Sequence, residues 1–476
     1  MIMNISKAQS LIDQLWERSI VPKLCDYIHI PSKSPFFDSH WQSHGYLNAA
    51  AELMANWCNA QSIDGMHVEI IQIGQHTPLI FIDIPGEGDD CVLLYGHLDK
   101  QPEMEGWRSN LGPWKPVIEN DRLYGRGGAD DGYALFAAIT ALSVLEDQRL
   151  PHARCVILIE ACEESGSGDL PFYIEALAAR IGIPSLVICL DSGAGDYERL
   201  WCTTSLRGLV SGTLSVQVLK EGVHSGDAGG IIASSFRIIR HLLGRLEEAS
   251  TGTILPAVFY EAIPQQRQEQ ARRAAQILGD EVYKKFPLVM GMQPIGEDIT
   301  ELILNRTWRP ALCVTGAAGL PTLEDAGNVL RTKTEIKLSL RLPPTGDAAQ
   351  AIERLQALLE TEPPYKANVR FIPELHANGW DAPMLSPLLE KSIDEASKAF
   401  FGKPVAYLGE GGTIPFMGMF GARFPRAQFL ITGVLGPQSN AHGPNEFLHI
   451  PTAKKISGCI ASVIADHYCT GEEQRN

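Results

Sequence analysis

The chain has 476 residues, 45% hydrophobic and 20% charged, with a formal net charge of −16, the proportions of a globular protein with room for two or three domains. The negative balance, with no lysine- and arginine-rich block, argues against a nucleic-acid or anionic-membrane partner. No run approaches the roughly 20 apolar residues of a membrane span, and the start, "MIMNISKAQSLIDQLWERSIVPKL", lacks an apolar core of signal-peptide length.

In chain order, "AQSLIDQLWERSIVPKLCDYIHI" and "YLNAAAELMANWCNAQ" predict amphipathic helices. "VEIIQI", "LIFIDI", "CVLLYGH", "RCVILIEA" and "SLVICLDS" are short apolar runs suited to strands of a sheet covered on both faces, with a helix over "DGYALFAAITALSVLED" between them. This is α/β patterning with a mostly parallel sheet. The ten cysteines form no Cys-x-x-Cys pair, and Cys91, Cys155 and Cys189 fall in these runs. They read as buried thiols of a cytoplasmic enzyme.

From about Leu206 the pattern alternates differently. "GLVSGTLSVQVLK", "KTEIKLSLRLP" and "NVRFIPEL" predict strands, while "GGIIASSFRIIRHLLGRLEEAS" and "DAAQAIERLQALLETE" predict helices. Two β-α-β halves suggest an α+β split βαβ (ferredoxin-like) domain, interrupted by a helical insertion near residues 252–310. After Trp380 the α/β pattern returns in "LSPLLEKSIDEASKAFFG", "AQFLITGVLG" and a closing helix from Pro451. The expected organisation is therefore a discontinuous first domain, 1–206 plus 382–476, with a second domain, 207–381, inserted in it.

Ligands of open α/β sheets bind beyond the carboxyl ends of the strands. Here those ends are chemically unusual. His97 and Asp99 follow "CVLLYG"; Glu160, Glu163 and Glu164 lie in "VILIEACEESGSGD"; Asp191 ends "LVICLD"; and Asp130 or Asp131 precedes a helix in "RLYGRGGADDGYALF". Each has an ordinary structural reading alone, such as a solvated turn or a helix cap. A phosphate-loop reading of "GRGGAD" lacks the Gly-Lys-Ser/Thr ending. Together on one rim, so many carboxylates repel one another unless cations neutralise them. A histidine with several carboxylates and no cysteine suits zinc, manganese or cobalt.

The segments "YGHLDKQP", "LYGRGGADD", "EACEESGS", "CLDSG", "HSGDAGG", "EGGTIP" and "NAHGPNE" resemble, in this order, the aminoacylase/carboxypeptidase/carnosinase family of dinuclear zinc peptidases, and look nearest to its carnosinase-like dipeptidase branch. The resemblance implies two divalent ions, zinc before manganese or cobalt. His97, Asp130 and Asp191 would hold one, and Asp130, Glu164 and His442 the other. It implies Glu163 as the general base beside the attacking water, and Asp99 as acceptor of the second N–H of His97. In the inserted lid, His224 resembles a histidine that stabilises the oxyanion across a homodimer. Arg341 and His376 match positions that hold a substrate's terminal carboxylate, and Asn328 and Thr413 match neighbouring contacts. The implied activity is hydrolysis of a dipeptide or short peptide with a free carboxylate. N-acyl- or N-carbamoyl-amino-acid amide hydrolysis is the alternative, and a non-catalytic metal-binding scaffold is a third reading.

Two departures from the family pattern stand out. Gly132-Tyr133 replaces the usual Lys-Gly after the aspartate pair, and Gly409 stands where carnosinase-like members carry arginine before Glu-Gly-Gly. Trp107, Trp114, Arg122 and Tyr124 read as scaffold.

Overall fold

The structure, a computed structural model, describes residues 3–473. The chain divides into two compact units: residues 1–203, 382–408 and 419–476 form the first, and 204–381 with 409–418 the second.

The first unit is built on a six-stranded sheet. Its order is His67–Ile71, Leu79–Ile84, Arg154–Glu160, Cys91–His97, Leu186–Cys189 and Gln428–Ile431. The last four run parallel, and Leu79–Ile84 pairs antiparallel with both His67–Ile71 and Arg154–Glu160. Every residue of Cys91–His97 is buried, which fits a strand covered on both sides. The helix Tyr133–Gln148 is apolar nearly all round and buried along most of its length; the core it joins includes Trp16, Met54, Ile157 and Ile460. Register aligns His97 with Glu160 and Tyr95 with Cys189, so three parallel strands end on one rim. His97, Glu163, Glu164 and Asp191 lie at or just beyond those ends.

The second unit carries an antiparallel sheet ordered Ala311–Ala318, Lys333–Leu342, Gly208–Gln217 and Asn368–Ala377. The strand Lys333–Leu342 alternates buried and less buried residues, the signature of one covered face. Helices Ser235–Leu243 and Ala348–Glu360 supply that cover through Ile238, Leu242, Leu355 and Leu359. Asp347 caps the second helix by accepting the Gln350 N–H.

Residues 409–418 group with the second unit, where the sequence pattern placed them with the first. Gly409 lies so close to Ser205 and Thr307 that a side chain there would collide, and Gly411 packs tightly on Arg306. Such close backbone approach leaves no periodic trace in sequence. Among the described residues no helix is long and apolar enough to cross a membrane.

Candidate metal centre

Five of the expected side chains converge in the first unit. His97 Nε2 lies 3.3 Å from Asp130 Oδ1 and 3.9 Å from Asp191 Oδ2. His442 Nε2 lies 3.0 Å from the other oxygen of Asp130 and 3.3 Å from Glu164 Oε2. Two groups able to hold a cation result, His97–Asp130–Asp191 and Asp130–Glu164–His442, with the donor atoms of each within 4.8 Å of one another. Asp130 belongs to both.

Local structure explains how each donor arrives. His97 ends its strand, and its backbone N–H donates to Asp131 Oδ2 at 3.2 Å. Asp130 sits in a turn between Gly127, at φ +81°, and the helix beginning at Tyr133. A Cβ at Gly132 would lie 2.2 Å from the Tyr27 ring, so only glycine fits there. Tyr133 is fully buried, and its hydroxyl donates to the Leu190 carbonyl beside Asp191. The Gly-Tyr departure thus ties the Asp130 turn to the Asp191 strand end.

Asp99 acts on two neighbours. Its carboxylate accepts the N–H groups of Glu163 and Glu164 at 3.1 and 3.0 Å, fixing the short turn that presents both. Nδ1 of His97 lies 3.1 Å from the Asp99 carbonyl and 3.5 Å from its carboxylate. The ring N–H therefore faces the Asp99 carbonyl more closely than its carboxylate. Glu163 stands outside both donor groups. Gln101 Nε2 donates to Glu164 Oε2 at 2.5 Å.

Sequence reasoning passed over the pair that seats His442. Arg126 Nη2 donates to the carbonyls of His442 and Gly443 at 3.1 and 2.9 Å, while Nη1 pairs with Glu446. Glu446 also accepts the Gly127 N–H at 2.9 Å. A buried Arg–Glu pair thus links the Asp130 turn to the His442 loop. Both residues lie within motifs already singled out, "GRGGADD" and "NAHGPNE"; a charge flanking two glycine-rich turns was the available signal.

The electrostatics suit cations. Burial, with Asp191 and neighbouring carboxylates, pushes Glu163 well above the usual carboxylate range, and burial with Asp130 does the same to Glu164. Burial likewise lifts Asp191 to about 6. Burial pulls His97 down, but Asp130 and Asp99 outweigh it and hold the ring well above its ordinary value. Asp131 Oδ1 is buried with no hydrogen-bond partner. Carboxylates and imidazoles held this way in a metal-free protein give up their protons when a divalent cation enters. An oxygen- and nitrogen-only donor set fits a borderline-hard ion.

The remaining expected residues lie in the second unit. His224 is exposed; its Nδ1 accepts the Gly226 N–H at 3.1 Å, so Nε2 carries the ring proton. Asn328 is its neighbour, accepting the Ser225 N–H through its carbonyl at 2.9 Å. Arg341 Nη1 donates to Thr413 Oγ1 at 3.1 Å. His376, opposite Val210 in the sheet, has no hydrogen bond or ion pair to either.

The model of peptidase family M20/M25/M40 matches residues 93–466. The chain belongs to that family. Its activity is metal-dependent hydrolysis of peptide bonds. It is 24% identical over 437 residues to the cysteinylglycine-S-conjugate dipeptidase of Corynebacterium striatum, covering 87% of this chain and 92% of that one. It is 27% identical over 398 residues to human beta-Ala-His dipeptidase, covering 78% and 74%. Among solved structures, the dipeptidase Dug1p of Saccharomyces cerevisiae superposes with a TM-score of 0.78 at 20% identity, over 98% of this chain and 99% of that one. That likeness is one of fold.

Proposed function

We propose that the family's chemistry is carried out here by a pair of divalent ions, zinc before manganese or cobalt, on a dipeptide or short peptide bearing a free carboxylate. His97, Asp130 and Asp191 would hold one ion, and Asp130, Glu164 and His442 the other. The observation that carries this reading is Asp130, whose two oxygens each face a different histidine. An ion pair of this kind supplies Lewis acidity toward the scissile carbonyl and lowers the pKa of water.

The chain's own groups do the rest. Glu163, free of both donor groups, accepts the attacking water's proton and returns it to the departing amine. Asp99 positions Glu163 and orients His97. His224 offers its Nε2–H to the oxyanion. Arg341, braced by Thr413, receives the substrate's terminal carboxylate, with Asn328 and His376 as further contacts. The dipeptidase names of the two curated relatives support the substrate class.

The strand order of the second unit supports a ferredoxin-like lid. Its edge strand Ala311–Ala318, with Val314 49% exposed, supports homodimerisation through that lid. The ten free thiols support a reducing, cytoplasmic setting. Metal analysis with a panel of dipeptides and N-acyl-amino acids tests the reading. Dipeptide cleavage that disappears on chelation is expected; cleavage of acylated amino acids alone contradicts it.

A further inference from the structure

The second unit holds a basic cluster that the metal chemistry does not use. Arg207 precedes the strand Gly208–Gln217, Arg306 lies in the last turn of helix Ile299–Thr307, and Arg341 is near the end of Lys333–Leu342. Arg207 is only 8% exposed. Its Nε donates to the Gly411 carbonyl at 3.2 Å, and its Nη1 to the carbonyls of Asn305 and Arg309 at 3.3 Å each. The buried Nε of Arg306 has no hydrogen-bond partner. Thr413 connects the cluster, accepting from Arg341 and donating to the Arg207 carbonyl at 2.5 Å.

Gly411 lies between two of these arginines. A Cβ there would sit 3.2 Å from Arg306 Cγ and 3.3 Å from Arg207 Nη2, so any side chain would crowd both. Among the described residues no carboxylate forms an ion pair with Arg207, Arg306 or Arg341; the nearby Arg309 does have one, in Glu301 at 2.7 Å. Burial, Arg341 and Arg306 together push Arg207 down to about 10. Guanidinium groups brought together from three elements with no ion-paired carboxylate are costly unless an anion completes them. One carboxylate satisfies Arg341, which Thr413 braces. The unpaired Nε of Arg306 remains for a second, beside Arg207, whose Nε and Nη1 are already engaged.

We infer that Arg207 and Arg306 form a second anion subsite, and that the substrate is a dipeptide with an acidic C-terminal residue. Its α-carboxylate rests on Arg341, and its side-chain carboxylate on Arg306 beside Arg207. The inference rests on the peptidase reading given above.

The test compares Ala-Glu with its neutral isostere Ala-Gln on the metal-loaded full-length protein. Ala-Glu should show a kcat/KM about tenfold higher, expressed mainly in KM, as a charge-assisted contact gives. Arg306→Gln should bring that ratio to about one, and Arg306→Lys should retain part of it. Melting curves check that both variants fold. Equal hydrolysis of the two peptides by the unsubstituted protein overturns the subsite. If neither peptide is cleaved, titration calorimetry decides the subsite alone, and the dipeptide panel decides the peptidase reading. Glutarate binding about tenfold tighter than its monoamide, with the difference lost in Arg306→Gln, supports it; equal binding overturns it.

Discussion

Arg126 and Glu446, 320 positions apart in sequence, form an ion pair whose side chains are 1% and 0% exposed. The pair joins the turn that presents Asp130 to the loop that presents His442. Removing one partner leaves the other buried and uncompensated, which costs about 3–5 kcal/mol. Glu446→Ala should therefore lower the denaturation free energy by that amount. It should also weaken the Glu164–His442 metal position roughly 10–100-fold, as loss of an outer support does. Titration of the stripped variant with zinc checks the second effect; unchanged affinity would separate Glu446 from the metal centre.

Glu163 is assigned to proton transfer and Glu164 to metal holding, although the two are adjacent. Glu163→Gln should keep both ions and lose roughly 10²–10⁴-fold in kcat. Glu164→Gln should lose an ion as well. Metal content measured beside turnover distinguishes the two, and substantial activity in Glu163→Gln would take the base role from that residue.

His224 accepts the Gly226 N–H through Nδ1 and so presents its Nε2–H as a donor. If that donor meets the oxyanion, His224→Ala should lower kcat by about 10²–10³ with metal content unchanged. Its KM should move little, because the contact develops in the transition state. A loss confined to KM would assign His224 to substrate binding instead.

The metal-free protein should grow less stable as pH rises from about 5 to 7. Glu160, raised by burial to about 7, and Asp191, raised to about 6, bind protons more tightly folded than unfolded. Their contribution is present at pH values below the unfolded carboxylate range and is lost as pH climbs through the folded values. His97, held up by Asp130 and Asp99 against burial, acts in the same direction. Thermal melting of chelated protein across this range should show the decline, and added zinc should flatten it, because cations replace protons at Asp191 and His97. Stability rising over the same interval in chelated protein would contradict the assignment.

Much of the centre was legible because parallel strands place their carboxyl ends on one rim. His97, Asp191 and Glu164 each follow a plainly apolar run, so their convergence needs only the sheet. The supports were harder to see. Arg126 with Glu446, and Tyr133 with Leu190, depend on contacts between distant segments that have no periodicity. The 409–418 segment joined the second unit through glycines that let the backbone approach Ser205 and Arg306, a packing relation invisible to hydrophobic pattern. Arg207 and Arg306 showed no motif at all; only the fold brings them beside Gly411.

The central claim is that Asp130 serves two ions at once. Counting zinc per chain by mass spectrometry under native conditions tests it most directly. Two ions are expected in the unsubstituted protein, one in His442→Ala, and at most one in Asp130→Asn. A single ion in the unsubstituted protein, or two retained in His442→Ala, would contradict the account.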